Sequence, residues 1–219
     1  ILAYIAVLIF SVIIHEVSHG IVAEKLGDPT AKQAGRLTLN PLPHIDPIMS
    51  VLLPAMLIMS GSPILFGAAK PVPVNYYNLG KPKRDMMLVS IAGPLSNVIL
   101  AFAAMIILVI SMLVPVLSSG GLTMILSMMI KLNLVLAVFN MIPIPPVDGS
   151  RVVSYLLPDS LAESYNRLEP FGFYIIIGIF LIPGFRTLLS QFIGGGTAML
   201  ETGMLTIIRA VASLFGAQL

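Results

Sequence analysis

Residues 1–14 carry no charged side chain, yet the apolar run leads directly into Ile13-Ile14-His15-Glu16-Val17-Ser18-His19-Gly20 and resumes at Ile21-Val22-Ala23. His15 and His19 are four apart, so on a helix they share one face, one turn from each other. Glu16 sits between them. This is the H-E-x-x-H arrangement, in which two imidazoles take a zinc ion and a carboxylate acts as general base on a water at the same metal. An ionisable group in a membrane helix costs about 2.5–3.5 kcal/mol on insertion scales. A bound zinc offsets that cost; the plainer alternative, a polar contact between helices, does not require both histidines at this spacing.

Composition agrees with a bilayer setting. Hydrophobic residues make up 57% of the chain and charged residues only 10%, against roughly 25% charged in a soluble domain. The net charge of +2 is small and dispersed, which argues against nucleic acid as a partner. There is no cysteine, so neither a disulfide nor a thiolate metal site is available. The chain reads as one membrane-embedded domain over 1–219, with a core at about 1–157 and C-terminal helices at about 171–216. Residues 1–14 lack a basic leading segment and a cleavage site, so they read as the first membrane helix rather than a signal peptide.

Apolar runs place five to six transmembrane helices, at 1–26, 48–66, 86–114, 122–139, 171–182 and 197–215. The last of these, with Glu201 and Arg209, reads equally as a helix lying on the surface. The fourth span carries Lys131 and Asn133. Between spans, the alternation of Arg36-Leu37-Thr38-Leu39 and the extended Pro71-Val72-Pro73-Val74 suggest a small membrane-associated β-sheet or hairpin. The expected fold class is therefore an all-α polytopic membrane protein with that one β feature. Lys and Arg are spread over successive loops, so the positive-inside rule gives no orientation.

A catalytic zinc site needs a third protein ligand besides two histidines. Asp148 is the better candidate: it ends an apolar span in a segment broken by Pro143, Pro145 and Pro146, and Gly149 follows it. Irregular backbone at membrane depth is tolerated only where protein or a water-filled cavity buries it. The competing reading makes Asp148 the N-cap of a helix starting near Ser150. The remaining histidine, His44, lies in a turn rich in proline, Asn40-Pro41-Leu42-Pro43-His44.

His15-Glu16-Val17-Ser18-His19, Gly93-Pro94-x-x-Asn97 and Asn140-x-x-Pro143-x-x-Pro146-x-Asp148-Gly149 together resemble the site-2 protease family, the M50-type intramembrane zinc metalloproteases. Asp28-Pro29-Thr30-Ala31, Gly35-Arg36-Leu37-Thr38-Leu39-Asn40-Pro41 and Lys70-Pro71-Val72-Pro73-Val74-Asn75 extend the resemblance, which covers about 14–154 and points to the short prokaryotic branch. It implies a multi-pass protein of the prokaryotic inner membrane with one zinc, held by His15, His19 and Asp148, and Glu16 as the base. It further implies Asn140, and less directly Asn97, as groups holding the substrate backbone; for Asn97 a helix–helix hydrogen bond is the equal alternative. His44 is either a surface turn residue or a group over the site mouth that orients water or substrate, or binds zinc in a closed state. The chain is too short for a PDZ-like insertion or a cystathionine-synthase-type domain. The expected partners are the lipid bilayer and single-span membrane proteins as substrates; oligomeric state stays open. Two other functions compete: an inactive homologue that holds membrane helices as a chaperone or scaffold, and a metal transporter. Intact His15, Glu16, His19 and Asp148 weigh against the first, and the scarcity of ionisable residues along the spans against the second.

Overall fold

The structure is a computed structural model and describes residues 2–52, 55–56, 59, 67–114 and 119–214. Helix α1 (Leu2–Lys25) is followed by the short α2 (Thr30–Gln33), a 3-10 turn at Leu42–His44 and a π-type turn at Pro47–Leu52. A 3-10 turn at Tyr76–Asn78 leads into α3 (Pro82–Leu113), and α4 spans Gly120–Asn140. The C-terminal part comprises α5 (Gly149–Leu156), α6 (Asp159–Asn166), α7 (Gly172–Leu181) and α8 (Pro183–Leu214).

Three of these helices, α1, α3 and α4, are long and apolar enough to cross a membrane. Residues 159–181 and 183–213 form a pair bent by 98°, which adds a fourth crossing if it counts as one span. The protein is thus an integral, multi-pass membrane protein, and its described residues supply three crossings, or four with the bent pair, of the five to six expected. The difference among the described residues lies in the C-terminal part. Helix α7 has only 10 residues, and at 1.5 Å per residue it reaches about 15 Å, half of a hydrocarbon core. The expected span at 48–66 begins in the π-type turn, and most of it lies outside the described residues.

Helices α1, α3 and α4 pack on one another. Where α3 meets α4, Ala101 and Ala104 let Leu126, Ile130 and Leu134 approach closely, and Met105 and Met204 of α8 complete the cluster. Small residues at such contacts allow the close packing that associates helices in lipid, where no hydrophobic drive exists between them. The ends of α1 and α3 meet where the Gly80 N–H donates to Leu26 O at 3.3 Å.

The expected β-sheet or hairpin is not there: no strand occurs among the described residues. Leu37–Leu39 forms bends, and the alternation from Arg36 has another cause. The Arg36 side chain is buried and donates from Nη2 to Lys70 O at 2.6 Å. Residues 67–75 form a strap in which alternate residues bond by their N–H groups to the rest of the protein. Ala68 donates to Met49 O at 3.1 Å, Lys70 to His44 O at 2.9 Å and Val72 to Glu16 Oε2 at 2.7 Å. A period of two marks extended chain, but its partners are loop carbonyls and a side chain. Pro71 and Pro73 have no N–H with which to build a second ladder.

Asp28 anchors the far end of the strap. It is fully buried, its Oδ2 accepting from the Asn75 N–H at 2.6 Å and its Oδ1 from Asn78 Nδ2 at 2.9 Å, from the Thr30 N–H at 3.1 Å and from the Thr30 hydroxyl. Burial alone would raise its pKa, but the hydrogen bonds from Thr30, Asn78 and Asn75 outweigh it and hold the carboxyl below its usual value. A depressed pKa stabilises the fold above the unfolded value of about 3.9, and that stability is lost as pH falls through the folded value. Asp28→Asn should therefore destabilise the protein by about 1–3 kcal/mol near neutral pH. In detergent melts, the gap between variant and wild type should close as the pH is lowered below the ordinary carboxylate range.

Candidate metal centre

Helix α1 presents His15 and His19 one turn apart toward α3, and the loop after α4 brings Asp148 to them. His15 Nε2 lies 3.0 Å from His19 Nε2 and 3.1 Å from Asp148 Oδ2, and His19 Nε2 lies 3.4 Å from Asp148 Oδ1. Both histidines are buried, and the Asp148 side chain is 18% exposed. Two glycines make the approach possible. A Cβ at Gly93 of α3 would sit 2.5 Å from His19 Nε2 and 2.6 Å from His15 Cε1, so both imidazoles lie on bare backbone. A Cβ at Gly149 would lie 2.3 Å from Met141 O, so the loop that carries Asp148 closes on itself only with glycine there. Asp148 occupies the N-cap position of α5, yet its side chain makes no capping bond.

The other ring nitrogens fix what the three groups can hold. His19 Nδ1 lies 2.7 Å from Val89 O, which only accepts, so Nδ1 carries the proton and Nε2 a lone pair. His15 Nδ1 lies 2.7 Å from Asn97 Oδ1, with the same consequence. Two lone pairs and a carboxylate therefore face one point, and the shielded Asp148 Oδ2, although close to His15, makes no hydrogen bond. Without a cation this arrangement is repulsive. Zinc with N and O ligands at about 2.0–2.2 Å separates them by about 3.4 Å around a tetrahedron; here the two nitrogens lie 3.0 Å apart, and each has one of the two Asp148 oxygens at 3.1 or 3.4 Å. The donor set fits zinc. Among the described residues, His15, His19 and Asp148 form the one group of His, Cys, Asp and Glu side chains close enough to hold a metal.

Glu16 lies beside this cluster, with its Oε2 accepting from the Val72 N–H at 2.7 Å. Asn140, at the end of α4, is half-buried and donates from Nδ2 to Leu136 O at 2.9 Å, one turn back in its own helix. Asn97 has no exposed surface, and its Oδ1 faces His15 Nδ1 from behind the imidazole pair. His44 is not a surface turn residue. It is 3% exposed, its Nε2 bonds Thr38 O at 3.0 Å, and its buried Nδ1 has no hydrogen-bond partner. It stands outside the metal-binding group and braces the strap through its backbone carbonyl.

Sequence reasoning missed the Val89 carbonyl, the Val72 N–H and the polar groups behind Asn97. Only the last left a trace, as polar residues inside apolar spans. Gly93 appeared as part of a motif, without the reason for it. Gly93→Ala is expected to push both imidazoles off α3. Metal analysis should show loss of bound zinc with helical content retained by circular dichroism. Activity should fall by about a hundredfold or more, the scale of an ångström-level misplacement at a reacting centre.

Residues 109–183 match the sequence profile of Peptidase family M50. The chain is 42% identical over 180 residues to the Bacillus subtilis protein named "Putative zinc metalloprotease YwhC", covering 80% of this chain and 78% of that one. It is 28% identical over 178 residues to the Mycolicibacterium smegmatis protein named "Putative zinc metalloprotease Rip2", covering 80% of this chain and 65% of that one. A protein of the same name from Mycobacterium tuberculosis H37Rv is 32% identical over 181 residues, covering 79% and 64%. The chain thus spans just under two thirds of the Rip2 proteins. No solved structure matches it. The identity to YwhC over most of both chains, together with the M50 match and a three-ligand cluster suited to zinc, makes this chain a member of peptidase family M50.

Proposed function

We propose that this zinc metalloprotease cuts peptide bonds in or near the transmembrane segments of other membrane proteins. The observation that carries the reading is the depth of the cluster. His15 lies 10 residues before Lys25, the last residue of the membrane-crossing α1, which at 1.5 Å per residue is about 15 Å. A peptide bond that reaches the cluster must enter the apolar zone. A transmembrane helix pairs all its backbone groups, so the substrate must unwind there.

On this reading His15, His19 and Asp148 hold the zinc and Glu16 is the general base. When bound, zinc acts as a Lewis acid that polarises the scissile carbonyl and acidifies a water. Val72 holds one Glu16 oxygen by its N–H. Glu16 Oε1 is left to take the proton from the attacking water and pass it to the leaving amine. Asn140 keeps one amide N–H beyond its bond to Leu136 O, suited to a substrate carbonyl. His44 takes no part in the chemistry.

The test pairs bound zinc with cleavage of single-span membrane substrates and of soluble peptides by the purified protein. Glu16→Gln should keep the zinc and lose about 10²–10⁴-fold in rate. Asp148→Asn should lose both. Wild type should cut the membrane substrates and spare the soluble peptides. Equal cleavage of both would sink the intramembrane reading, and full zinc in Asp148→Asn would remove Asp148 from the ligand set.

A further inference from the structure

Behind His15 lies a polar chain that crosses three helices. Ser11 of α1, Asn97 of α3 and Asn133 of α4 have at most a trace of exposed surface. Asn133 Nδ2 donates to Met129 O at 2.8 Å and to Ser11 Oγ at 2.9 Å. Asn133 Oδ1 accepts from Asn97 Nδ2 at 2.8 Å, and the same nitrogen reaches Ser11 O at 3.4 Å. Asn97 Oδ1 then faces His15 Nδ1 at 2.7 Å.

The two histidines are therefore held by different means. His19 faces a backbone carbonyl, which admits only a protonated Nδ1. His15 faces an amide, and an amide is ambiguous. Turned by half a rotation, Asn97 would offer its NH₂ to a bare His15 Nδ1 and leave the proton on Nε2, where it would block metal binding. The direction of the chain removes this freedom. Met129 O and Ser11 O can only accept. Met129 O requires the NH₂ end of Asn133, which turns Asn133 Oδ1 toward Asn97. That oxygen and Ser11 O require the NH₂ end of Asn97, which turns Asn97 Oδ1 toward His15.

We propose that Asn133 and Ser11 are positioning residues for the metal centre, setting the tautomer of His15 through Asn97. They touch neither metal nor substrate. The inference rests on the reading of His15 as a zinc ligand. It differs from a simple helix–helix contact in one respect: a carboxylate at position 97, which only accepts, makes Asn133 dispensable.

The experiment uses the full chain in detergent, with zinc affinity measured against a competing chelator. Tautomers are read by ¹⁵N NMR of histidine-labelled, zinc-stripped protein, where the chain has only 3 histidines. Spectra are taken at a pH where the imidazoles are neutral. Wild type should show His15 protonated on Nδ1. Asn133→Leu should mix the tautomers and weaken zinc roughly 10- to 100-fold, the scale set by groups that orient metal ligands. Adding Asn97→Asp to Asn133→Leu should restore both the Nδ1 proton and the affinity. If Asn133→Leu does not fold, Asn133→Ser serves instead; its hydroxyl can bond Met129 O but is too short to reach Asn97. An unchanged tautomer and affinity in the folded variant would overturn the proposal. So would a loss of zinc that Asn97→Asp does not repair, since that marks a packing role. His15→Ala separates the two levels: if it retains full zinc, the ligand assignment itself fails, whereas if it loses zinc while Asn133→Leu does not, only the relay fails.

Discussion

A polar atom inside hydrocarbon must find a partner within the protein, because no water is there to serve it. The centre of this molecule is organised by that demand. It gathers two imidazoles, two carboxylates, two amides and a hydroxyl where three apolar helices meet, and the amide N–H groups and the imidazole Nδ1 atoms are engaged. The buried Asp148 Oδ2, beside two nitrogen lone pairs, makes no hydrogen bond. That residual deficit is of the kind a divalent cation resolves.

The rest of the structure holds these groups in register. Gly93 sets how closely α1 approaches α3, and the apolar contact of α3 with α4 fixes the helix that carries Asn133. The loop with Asp148 is braced from the C-terminal side, where the Tyr165 hydroxyl donates to Pro143 O at 2.9 Å. On the opposite side the strap at 67–75 is tied at several points, by Arg36 and His44 at Lys70, by Glu16 at Val72 and by Asp28 at Asn75. The C-terminal third, which carries no motif, thus contributes by supporting the loop.

What could be read from the sequence depended on how local the cause was. His15, Glu16 and His19 are legible because helix geometry alone brings them together. Asp148, in a chain without cysteine, stood between a metal ligand and a helix N-cap, and the resemblance of its motif favoured the ligand. The partners of those residues were not. Asn97 lies 82 residues from His15, and Asn133 a further 36 from Asn97, and no pattern within one segment reports such a meeting. The β expectation failed for a related reason. Alternation at Arg36–Leu39 registers a period but cannot tell a strand from a buried guanidinium that serves a distant carbonyl. In the C-terminal part, apolarity alone did not distinguish a crossing from a short or bent helix. His44 looked peripheral beside so many prolines, yet those prolines fold the turn inward against the strap.

The strap has one more property. Its alternate N–H groups are consumed inside the molecule, and in extended chain the residues between them face the other way. Two of those, Pro71 and Pro73, have oxygens and no hydrogens to share. At Pro71 and Pro73 the outward margin therefore offers only acceptors. Two copies meeting edge to edge in a crowded bilayer would set carbonyl against carbonyl and could not zip together, a safeguard that open edges usually need. A backbone that supplies N–H groups meets no such obstacle at Pro71 and Pro73.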